Sequence, residues 1–491
     1  MNRRMVLYVT GRVTFVVGVL MILPILVALI YHEGTDTIYP LFQAMVATMA
    51  VGAAMASRPP KRRSIYVREG LAITGLSWIM LVIFGSLPYL FTGAIPSIPD
   101  AIFETASGFT TTGSSILSEI ESLPRSVLFW RNFTVFIGGM GVLVFAVALL
   151  PKSNSEDIYI LKSEMPGPTF DKVLSRVRTV ARVFYVIYAV LTLILICILI
   201  GAGMSPYDAI LHAFATAGTG GFSNYNTSIA AFDSVPIELV LSFGMLIFSV
   251  NFNLYFFALR GRWREALKSD ELRWFVAIVL AAVLAIVLNI LPMYDSLWLC
   301  VKDAFFNVAT IISTTGFCTV DYCQWPMFSQ LILLLLMFIG GCAGSTAGGL
   351  KISRVIALVG LAKRKLHESV NPKRVSVVVY EGKPMNERAQ NDIALYFILY
   401  TFVFFGLVVL ISFENLDFIT TFSAVATTYN NVGPGLGTIG PTGNFGGFSG
   451  FSKLVLSFGM VAGRLEIMPL ILLFAPAHGE REEMLFRKTP E

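Results

Sequence analysis

The chain has 491 residues, of which 55% are hydrophobic and only 14% are charged, and its mean hydropathy is +0.73. Because its apolar runs reach membrane-spanning length, a water-soluble fold is excluded and we expect a polytopic membrane protein. The net charge of +5 lies in short basic clusters between the apolar runs, where membrane topology accounts for it. Nucleic-acid binding is therefore not expected.

The basic clusters predict the orientation of the chain in the membrane. Between them lie long stretches without lysine or arginine, at residues 69–124 and 183–259. By the positive-inside rule the clusters face the cytoplasm, so both termini are expected to be cytoplasmic and the Lys/Arg-poor stretches to face outward. The clusters occupy residues 3–4, 58–63, 176–182, 260–273, 351–388 and 487–488.

The first two apolar segments, residues 6–31 and 38–56, predict a helical hairpin. A polar turn at residues 32–37 joins them, and neither leads into a Thr/Gly turn of the kind found later in the chain. We interpret residues 1–66 as a peripheral transmembrane helix pair that packs against lipid. Because the second segment follows at once, the first is expected to be a retained anchor and not a cleaved signal peptide.

After this pair the chain repeats one unit four times: an apolar helix, a short amphipathic helix, a Thr/Gly turn and a second apolar helix. The predicted repeats are residues 67–155, 156–262, 263–370 and 371–491. The turns are residues 110–114, 218–222, 313–317 and 430–434. The predicted helices are 71–90, 97–109 and 127–150; 181–200, 205–217 and 237–259; 274–291, 296–312 and 328–339; and 393–413, 416–429 and 451–474.

The short amphipathic helices cannot cross a bilayer. The first spans residues 97–109, which is roughly 20 Å of helix, whereas a membrane span needs about 20 residues. Re-entrant backbone is tolerated only where protein or water surrounds it, so the four turns are expected to converge on one axis. Glycine and threonine can present carbonyl and hydroxyl oxygens there, and such oxygens suit a weakly hydrated monovalent cation.

A glycine-rich run interrupts the second apolar helix of the third repeat. Residues 340–349 contain too many glycines to hold a helix, at about 1 kcal/mol per glycine relative to alanine. Shorter parallels stand at residues 138–141 and 459–463. Two interpretations stay open: close helix packing through small residues, or a mobile loop beneath the turns. The loop residues would be Gly344, Ser345, Thr346, Ala347, Gly348 and Gly349.

Charged residues near the apolar segments are further candidates. Arg464 lies inside the predicted last helix, where a charge costs at least about 2.5–3.5 kcal/mol and must face protein or water. Glu466, two positions away, is a poor partner within a helix, so Arg464 is either a structural partner or a barrier charge in the pore. Four acidic residues either cap the short helices or attract cations to an outer mouth: Asp100, Glu104, Asp208 and Asp303.

Other motifs give no support for a cofactor or for catalysis. Residues 435–440 fit GxGxxG by letter but lack a βαβ context, and residues 344–351 place Leu350 where a Walker A motif needs lysine. No catalytic constellation emerges, so we expect no enzyme and no organic cofactor in this chain. The five cysteines lack metal-site spacing and are expected to be free thiols, with a Cys318–Cys323 disulfide as the alternative.

Six strings carry a resemblance to a known family. They are TTTGS at 110–114, TGGFS at 219–223, STTGF at 313–317, NNVGPGLG at 430–437, GGCAGSTAGGLK at 340–351 and the segment around Arg464. With them the chain resembles the Trk/Ktr/HKT superfamily of cation transporters over nearly its whole length. The resemblance implies potassium uptake across the bacterial inner membrane through a single-chain, pseudo-fourfold, potassium-channel-like pore. The implied fold is all-α, with four helix–pore-loop–helix repeats plus the N-terminal helix pair.

The resemblance also implies a selectivity filter and partners. Its glycines fall at Gly113, Gly316, Gly433 and either Gly220 or Gly221, and members with serine at the first position favour sodium, so Gly113 favours potassium. The implied partners are a second copy in a homodimer, membrane lipid and a cytosolic TrkA-like ring that itself binds ATP/ADP or NAD(H). The implied potassium-binding residues are Thr110, Thr111, Thr112, Gly113, Thr219, Gly220, Gly221, Thr314, Thr315, Gly316, Asn431, Val432 and Gly433.

A proton- or sodium-coupled secondary carrier is the alternative function. Symport of this kind needs an acid near the membrane midplane and alternating access. Beyond Glu466 the apolar segments offer no convincing buried carboxylate.

Overall fold

The structure is a computed structural model, and it describes residues 2–60, 67–141, 177–371, 377–467 and 469–470. Over these ranges the regular structure is helical except for one short hairpin, in which β1, Val379–Tyr380, pairs antiparallel with β2, Lys383–Pro384. Val379 lies opposite Pro384 in this pairing. All five cysteines are free thiols, so Cys318 and Cys323 do not form the alternative disulfide. The predicted all-α class is confirmed.

The N-terminal hairpin consists of helices α1, Arg3–Leu20, α2, Ile22–Ile30, and α3, Thr35–Ala56. α1 packs against α3, and the backbones approach so closely that a methyl group on Gly11, Gly18 or Gly52 would clash with the facing helix. Small residues commonly allow such close packing of helices in membranes. α1 also packs against the first helix of the first repeat.

Each of the four repeats has an outer helix, a short pore helix and a return helix. The outer helices are α4, Val67–Gly85, α8, Val177–Gly201, α13, Asp270–Ile290, and α17, Glu387–Ile411. The pore helices are α6, Ile98–Phe109, α9, Pro206–Gly218, α14, Leu297–Ile312, and α18, Phe418–Tyr429. The return helices are α7, Arg125–Gly139, α10, Val235–Phe248, α15, Met327–Ile339, and α19, Gly450–Arg464. The other α-helices within the described residues are α5, Leu87–Thr92, α11, Phe252–Leu259, α12, Trp263–Leu267, and α16, Ile352–Val370. Short 3-10 helices lie at Ser228–Phe232, Leu291–Met293, Tyr322–Gln324, Ser412–Glu414 and Gly437–Ile439.

The return helices join the pore helices into a closed ring. Each pore helix packs against the outer and return helices of its own repeat and against the return helix of the repeat before it. The contacts between repeats are α6 on α19, α9 on α7, α14 on α10 and α18 on α15, so the last repeat closes on the first. Protein thus surrounds the short helices, and most of their side chains are buried, as re-entrant backbone requires. The predicted pseudo-fourfold arrangement is confirmed.

Within the described residues six helical segments are long and apolar enough to cross a membrane, and one bent pair makes a seventh. The six are Arg3–Ile30, Thr35–Ala56, Arg68–Phe91, Ala181–Gly201, Asp270–Met293 and Glu387–Glu414. The bent pair is α10 and α11, which meet at 90°. The chain is therefore a multi-pass membrane protein.

Two of the return helices are shorter than the sequence predicts, whereas α15, Met327–Ile339, agrees with the predicted helix at 328–339. Continuous helices over 237–259 and 451–474 are wrong, because α10 ends at Phe248 before the 90° bend and α19 ends at Arg464. In the first repeat α7 ends at Gly139, and residues 142–150 of its predicted helix lie outside the described residues. Arg464 is thus the last residue of its helix and does not lie inside it.

Close backbone contacts explain where α7 and α19 end, and a helix cap at Asn251 explains the bend between α10 and α11. A methyl group on Gly138 would clash with the carbonyl of Phe109, and one on Gly463 with the carbonyl of Tyr429, so both glycines lie against the end of their pore helix. In the second repeat the side chain of Asn251 accepts a backbone N–H bond and starts α11. An asparagine inside an apolar run is the local signal of this bend.

Candidate ion pathway

The four turns after the pore helices share one backbone pattern. In each, a residue in the left-handed conformation is followed two positions later by a glycine with positive φ, which a side chain would disfavour. The left-handed residues are Thr111 (58°), Thr219 (57°), Thr314 (55°) and Asn431 (57°), and the glycines are Gly113 (79°), Gly221 (56°), Gly316 (88°) and Gly433 (110°). Gly221, and not Gly220, is therefore the conformational counterpart of Gly113.

Each of these glycines lies against a backbone carbonyl of the next turn around the ring. A methyl group on Gly113, Gly221 or Gly316 would clash with that oxygen, and one on Gly433 would lie 2.9 Å from it. The carbonyls belong to the residues immediately before the four glycines, and the pairs are Gly113 with Gly220, Gly221 with Thr315, Gly316 with Val432 and Gly433 with Thr112. Turns that are far apart in sequence thus form one closed structure, which we call the carbonyl ring.

The pore helices direct their C-terminal ends at the carbonyl ring. In every repeat the chain reaches the ring carbonyl within three residues of the last helical residue. The C-terminal end of a helix carries partial negative charge. Four such ends around one place favour a cation there.

Two cavities adjoin the carbonyl ring. The outer cavity, of about 90 Å³, is lined by all four ring glycines and by segments that follow them in the chain. The inner cavity, of about 60 Å³, is lined by Asn431, by the glycine-rich run and by the ends of α7 and α19. A path through the four turns would join the two cavities, and all predicted filter residues lie in these turns.

The glycine-rich run lies directly against the third and fourth turns. The N–H of Gly348 donates to the Thr314 hydroxyl at 2.6 Å, and the N–H of Gly349 donates to the Asn430 carbonyl at 3.1 Å. On its other side the Thr346 hydroxyl donates to the carbonyl of Phe248 at 3.1 Å, at the bend of the second repeat. The run therefore contacts the turns directly, as the interpretation of a loop beneath them requires.

Arg464 joins the loop to two return helices. Its Nη1 donates to the Thr346 carbonyl at 2.7 Å, and its Nη2 donates to the carbonyls of Gly138 and Gly139 at 2.8 and 2.6 Å. Arg464 also lines the inner cavity. The geometry agrees with both open interpretations of Arg464: its hydrogen bonds fit a structural partner, and its place in the cavity wall fits a pore-lining charge.

Other charged groups hold the glycine-rich run and the segments that flank it. Lys351 donates to the carbonyl of Ala347, and Arg354 pairs with Glu466, with Nη1 at 3.1 Å from Oε1. The partner of Glu466 could not be predicted from the sequence, because Arg354 lies 112 positions away. A role for Glu271 was not predicted either, and its carboxylate accepts the N–H of Ala343 at 2.6 Å. The only local signal is that Glu271 stands in the first turn of α13.

The four acidic residues near the pore helices all have partners. Asp100 pairs with Lys453 at 2.6 Å, and Asp303 with Lys302 at 2.9 Å. Asp208 accepts from Asn224 at 3.0 Å and from Tyr225 and Ser205, and Glu104 pairs with Arg131 at 2.6 Å. These contacts favour a structural role for the acidic residues over free attraction of cations.

Comparisons with known proteins agree with this arrangement. The profile of the TrkH family, described as cation transport protein, matches residues 38–483. The chain is 36% identical to the Trk system potassium uptake protein TrkH of Salmonella typhimurium, over 97% of this chain and 99% of the relative, and 35% identical to that of Escherichia coli over the same shares. It is also similar to the crystal structure of the potassium transporter TrkH from Vibrio parahaemolyticus, with a TM-score of 0.87 and 34% identity over 97% of this chain and 99% of that chain. The chain therefore belongs to the TrkH family of cation transport proteins.

Proposed function

We propose that this chain takes up potassium across the bacterial inner membrane through a channel-like selectivity filter. The observation that carries the proposal is the carbonyl ring, in which four glycines each lie against a backbone oxygen of the next turn. Backbone oxygens replace the water shell of a weakly hydrated monovalent cation, and the four helix ends add favourable potential. The names of the relatives support potassium as the ion that is carried. Potassium is then the substrate, and no catalytic reaction is involved.

The loop at residues 344–349 is the proposed gate. It contacts the carbonyl ring through Gly348 and lines the inner cavity, so it occupies the exit from the turns. Its backbone is held by individual hydrogen bonds, each worth about 0.5–1.5 kcal/mol, and not by a helix. A regulator that pulls on α16, which follows the loop, could withdraw it.

The proposed regulator is a cytosolic TrkA-like ring that binds the nucleotide itself. The basic segments 260–273 and 363–374 are the proposed docking surface, although residues 372–374 lie outside the described residues. With these clusters on the inner face, both termini are cytoplasmic by the positive-inside rule. The chain is proposed to work as a homodimer.

Ion flux in liposomes tests the proposal. With potassium, rubidium, sodium and lithium measured separately, a channel-like filter should pass potassium and rubidium faster than sodium and lithium, at a rate set by the driving force alone. Obligatory, stoichiometric movement of protons or sodium would instead support the coupled carrier. The structure corrects the expectation that Glu466 is the one candidate acid, because Glu104 and Glu271 are buried. All three carboxylates are bound to neighbouring groups: Glu466 to Arg354, Glu104 to Arg131 and Glu271 to the N–H of Ala343.

A further inference from the structure

Polar side chains behind the first two turns tie each pore helix to the segment after its glycine. In both repeats the side chain on the pore helix lies seven residues before the left-handed residue of the turn, which is Thr111 or Thr219. The serine that it contacts lies four residues after that left-handed residue. In the first repeat Ser115 donates to Glu104 at 2.9 Å, and the N–H of Ile116 donates to the same carboxylate at 3.0 Å. In the second repeat the ring of His212 and the hydroxyl of Ser223 are 3.0 Å apart.

The other two repeats do not form this tie. At the same position the third repeat has Asn307, whose side-chain oxygen has no partner within the part of the chain that the structure describes. The fourth repeat has Ala424, and there the neighbouring Ser423 bonds to the backbone of Leu436 instead. A carboxylate therefore occupies this position in the first repeat alone.

Arg131 balances that carboxylate and reaches into the second repeat. Its Nε donates to Glu104 at 2.6 Å, and its Nη1 donates to the carbonyl of Ser223 at 2.9 Å. The guanidinium lies 3.6 Å from the centre of the Phe222 ring, which follows Gly221 directly. Arg131 and Glu104 are 1% and 0% exposed, and Arg131 lines the outer cavity. The pair thus joins the segments that follow the first and second turns.

The fourth repeat has no such arginine. Gly138 and Gly463 occupy equivalent places, because each lies against the end of its own pore helix. Seven residues before them stand Arg131 and Leu456. The first repeat therefore has a charged connection beside its turn that the fourth repeat lacks.

We propose that Arg131, held by Glu104, is a positioning residue for ion selectivity that fixes the first turn relative to the second. The inference rests on the proposed function. Gly113 already lies against the carbonyl of Gly220, and Arg131 holds the chain on the far side of Gly221. A cage that discriminates between cations must keep the spacing of its oxygens, or their field, within narrow limits. Without Arg131 the junction between the two turns loosens and admits sodium more readily.

The choice of a buried ion pair also favours positioning over simple stabilisation. Desolvation of two charges offsets their attraction, so well-packed apolar residues of similar size often stabilise a fold as well. Arginine offers geometry instead, because its donors diverge at fixed angles and its flat face stacks on an aromatic ring. Methionine has no donor for Glu104 or Ser223, and lysine keeps the charge and three donors but lacks the fixed angles and the flat face of the guanidinium.

The test is the ratio of potassium to sodium flux in liposomes that contain the full-length protein. The variants are Arg131→Met, Arg131→Lys, and Arg131→Met combined with Glu104→Gln. We expect the ratio to fall about fivefold in Arg131→Met, because two charge-assisted hydrogen bonds are lost, and by less in Arg131→Lys. The double variant leaves no unpaired buried charge, so it carries the test if Arg131→Met does not fold, and we expect the same fall.

A matched control removes a different buried ion pair. Lys302→Met with Glu238→Gln and Asp303→Asn deletes the charged cluster that joins α14 to α10 and leaves none of its charges unpaired. It should lower thermal stability while the flux ratio stays at the wild-type value. If folded Arg131→Lys and the double variant both keep the wild-type ratio, Arg131 is only structural and the inference is overturned. If the wild-type protein itself shows no preference for potassium, the proposed function falls first and the inference falls with it.

Discussion

The two sides of the carbonyl ring are held in different ways. On the outer side, side chains within the folded elements brace the segments after the turns, as Glu104 does with Arg131 and His212 with Ser223. On the inner side, the loop at residues 344–349 has no helical structure. Its backbone carbonyls accept hydrogen bonds from the side chains of Arg464 and Lys351. Under the proposed function we expect the outer side to stay in place while the inner segment moves. Ion selection and gating would then be separate functions of one short path.

Removal of the inner segment should have the largest effect. Deletion of residues 345–348 takes away the groups that contact Thr314 and Arg464, so flux without the regulator should rise at least about tenfold, which corresponds to a barrier lower by about 1.4 kcal/mol. The potassium-to-sodium ratio should change by less than about twofold, since the outer braces remain. Liposome flux measures both. Low flux that still depends on the regulator, in deletion protein that folds and dimerises, would place the gate elsewhere.

Gly113→Ser should mainly change the selectivity for potassium over sodium. A side chain at Gly113 is strained at a φ of 79° and clashes with the Gly220 carbonyl, so we expect the potassium-to-sodium ratio to fall about tenfold. The measurement is again relative flux in liposomes.

Gly93→Ser is the matched control for this change. Gly93 has a similar φ of 70°, but a methyl group there would meet nothing within 4 Å. The control carries the same backbone strain and should keep the wild-type ratio. Equal ratios in folded Gly113→Ser and wild type would remove the first turn from the selective site.

Substitutions of Arg464 test whether its charge or its hydrogen bonds contribute more to limiting the flux. Arg464→Ala removes both, so we expect flux to rise about fivefold, as both a cationic barrier and a bond to the loop carbonyl are lost. Arg464→Lys keeps the charge but loses the branched donor, so a smaller rise is expected. Lower flux in folded Arg464→Ala would contradict a barrier or a latch and leave Arg464 as a structural partner.

Reversal of charge at Lys363, Arg364 and Lys365 should have the smallest effect. Arg364 is already bound to Gln390, and both Arg364 and Lys365 pair with Glu368, at 3.2 and 3.0 Å. Mainly the exposed Lys363 therefore remains to attract a partner. We expect co-purification with the regulatory ring to weaken about threefold, while flux without the ring is unchanged. The same reversal at Arg3 and Arg4 is the control. Equal losses in both variants would point to net charge and not to a docking surface.

The sequence predicts the four turns because their signal is local. Each turn needs glycine at a positive φ beside a pore helix too short to span, and both features are visible in a few residues. The closure of the ring between the fourth and first repeats depends on repetition of the unit, which the sequence also displays. The sequence leaves the choice between Gly220 and Gly221 open, and only the positive φ of Gly221 in the structure identifies it as the counterpart of Gly113.

Contacts between distant segments could not be predicted in this way. Arg354, the partner of Glu466, lies on α16, and Arg131 of the first repeat bonds to Ser223 of the second repeat. The early end of α19 depends on the close approach of Gly463 to Tyr429, whereas an apolar pattern predicts that the helix continues. The bend at Asn251 did have a local signal, which is the asparagine itself, but one polar residue barely changes the mean hydropathy of an apolar run.

The most direct test of the carbonyl ring as the ion site is anomalous X-ray diffraction from crystals grown in rubidium, which replaces potassium closely. We expect an anomalous peak between the outer and inner cavities, surrounded by the carbonyl oxygens of the residues before the four ring glycines. These residues are Thr112, Gly220, Thr315 and Val432. A well-ordered ring without a peak, or a strong peak bound by side-chain carboxylates elsewhere, would contradict the assignment.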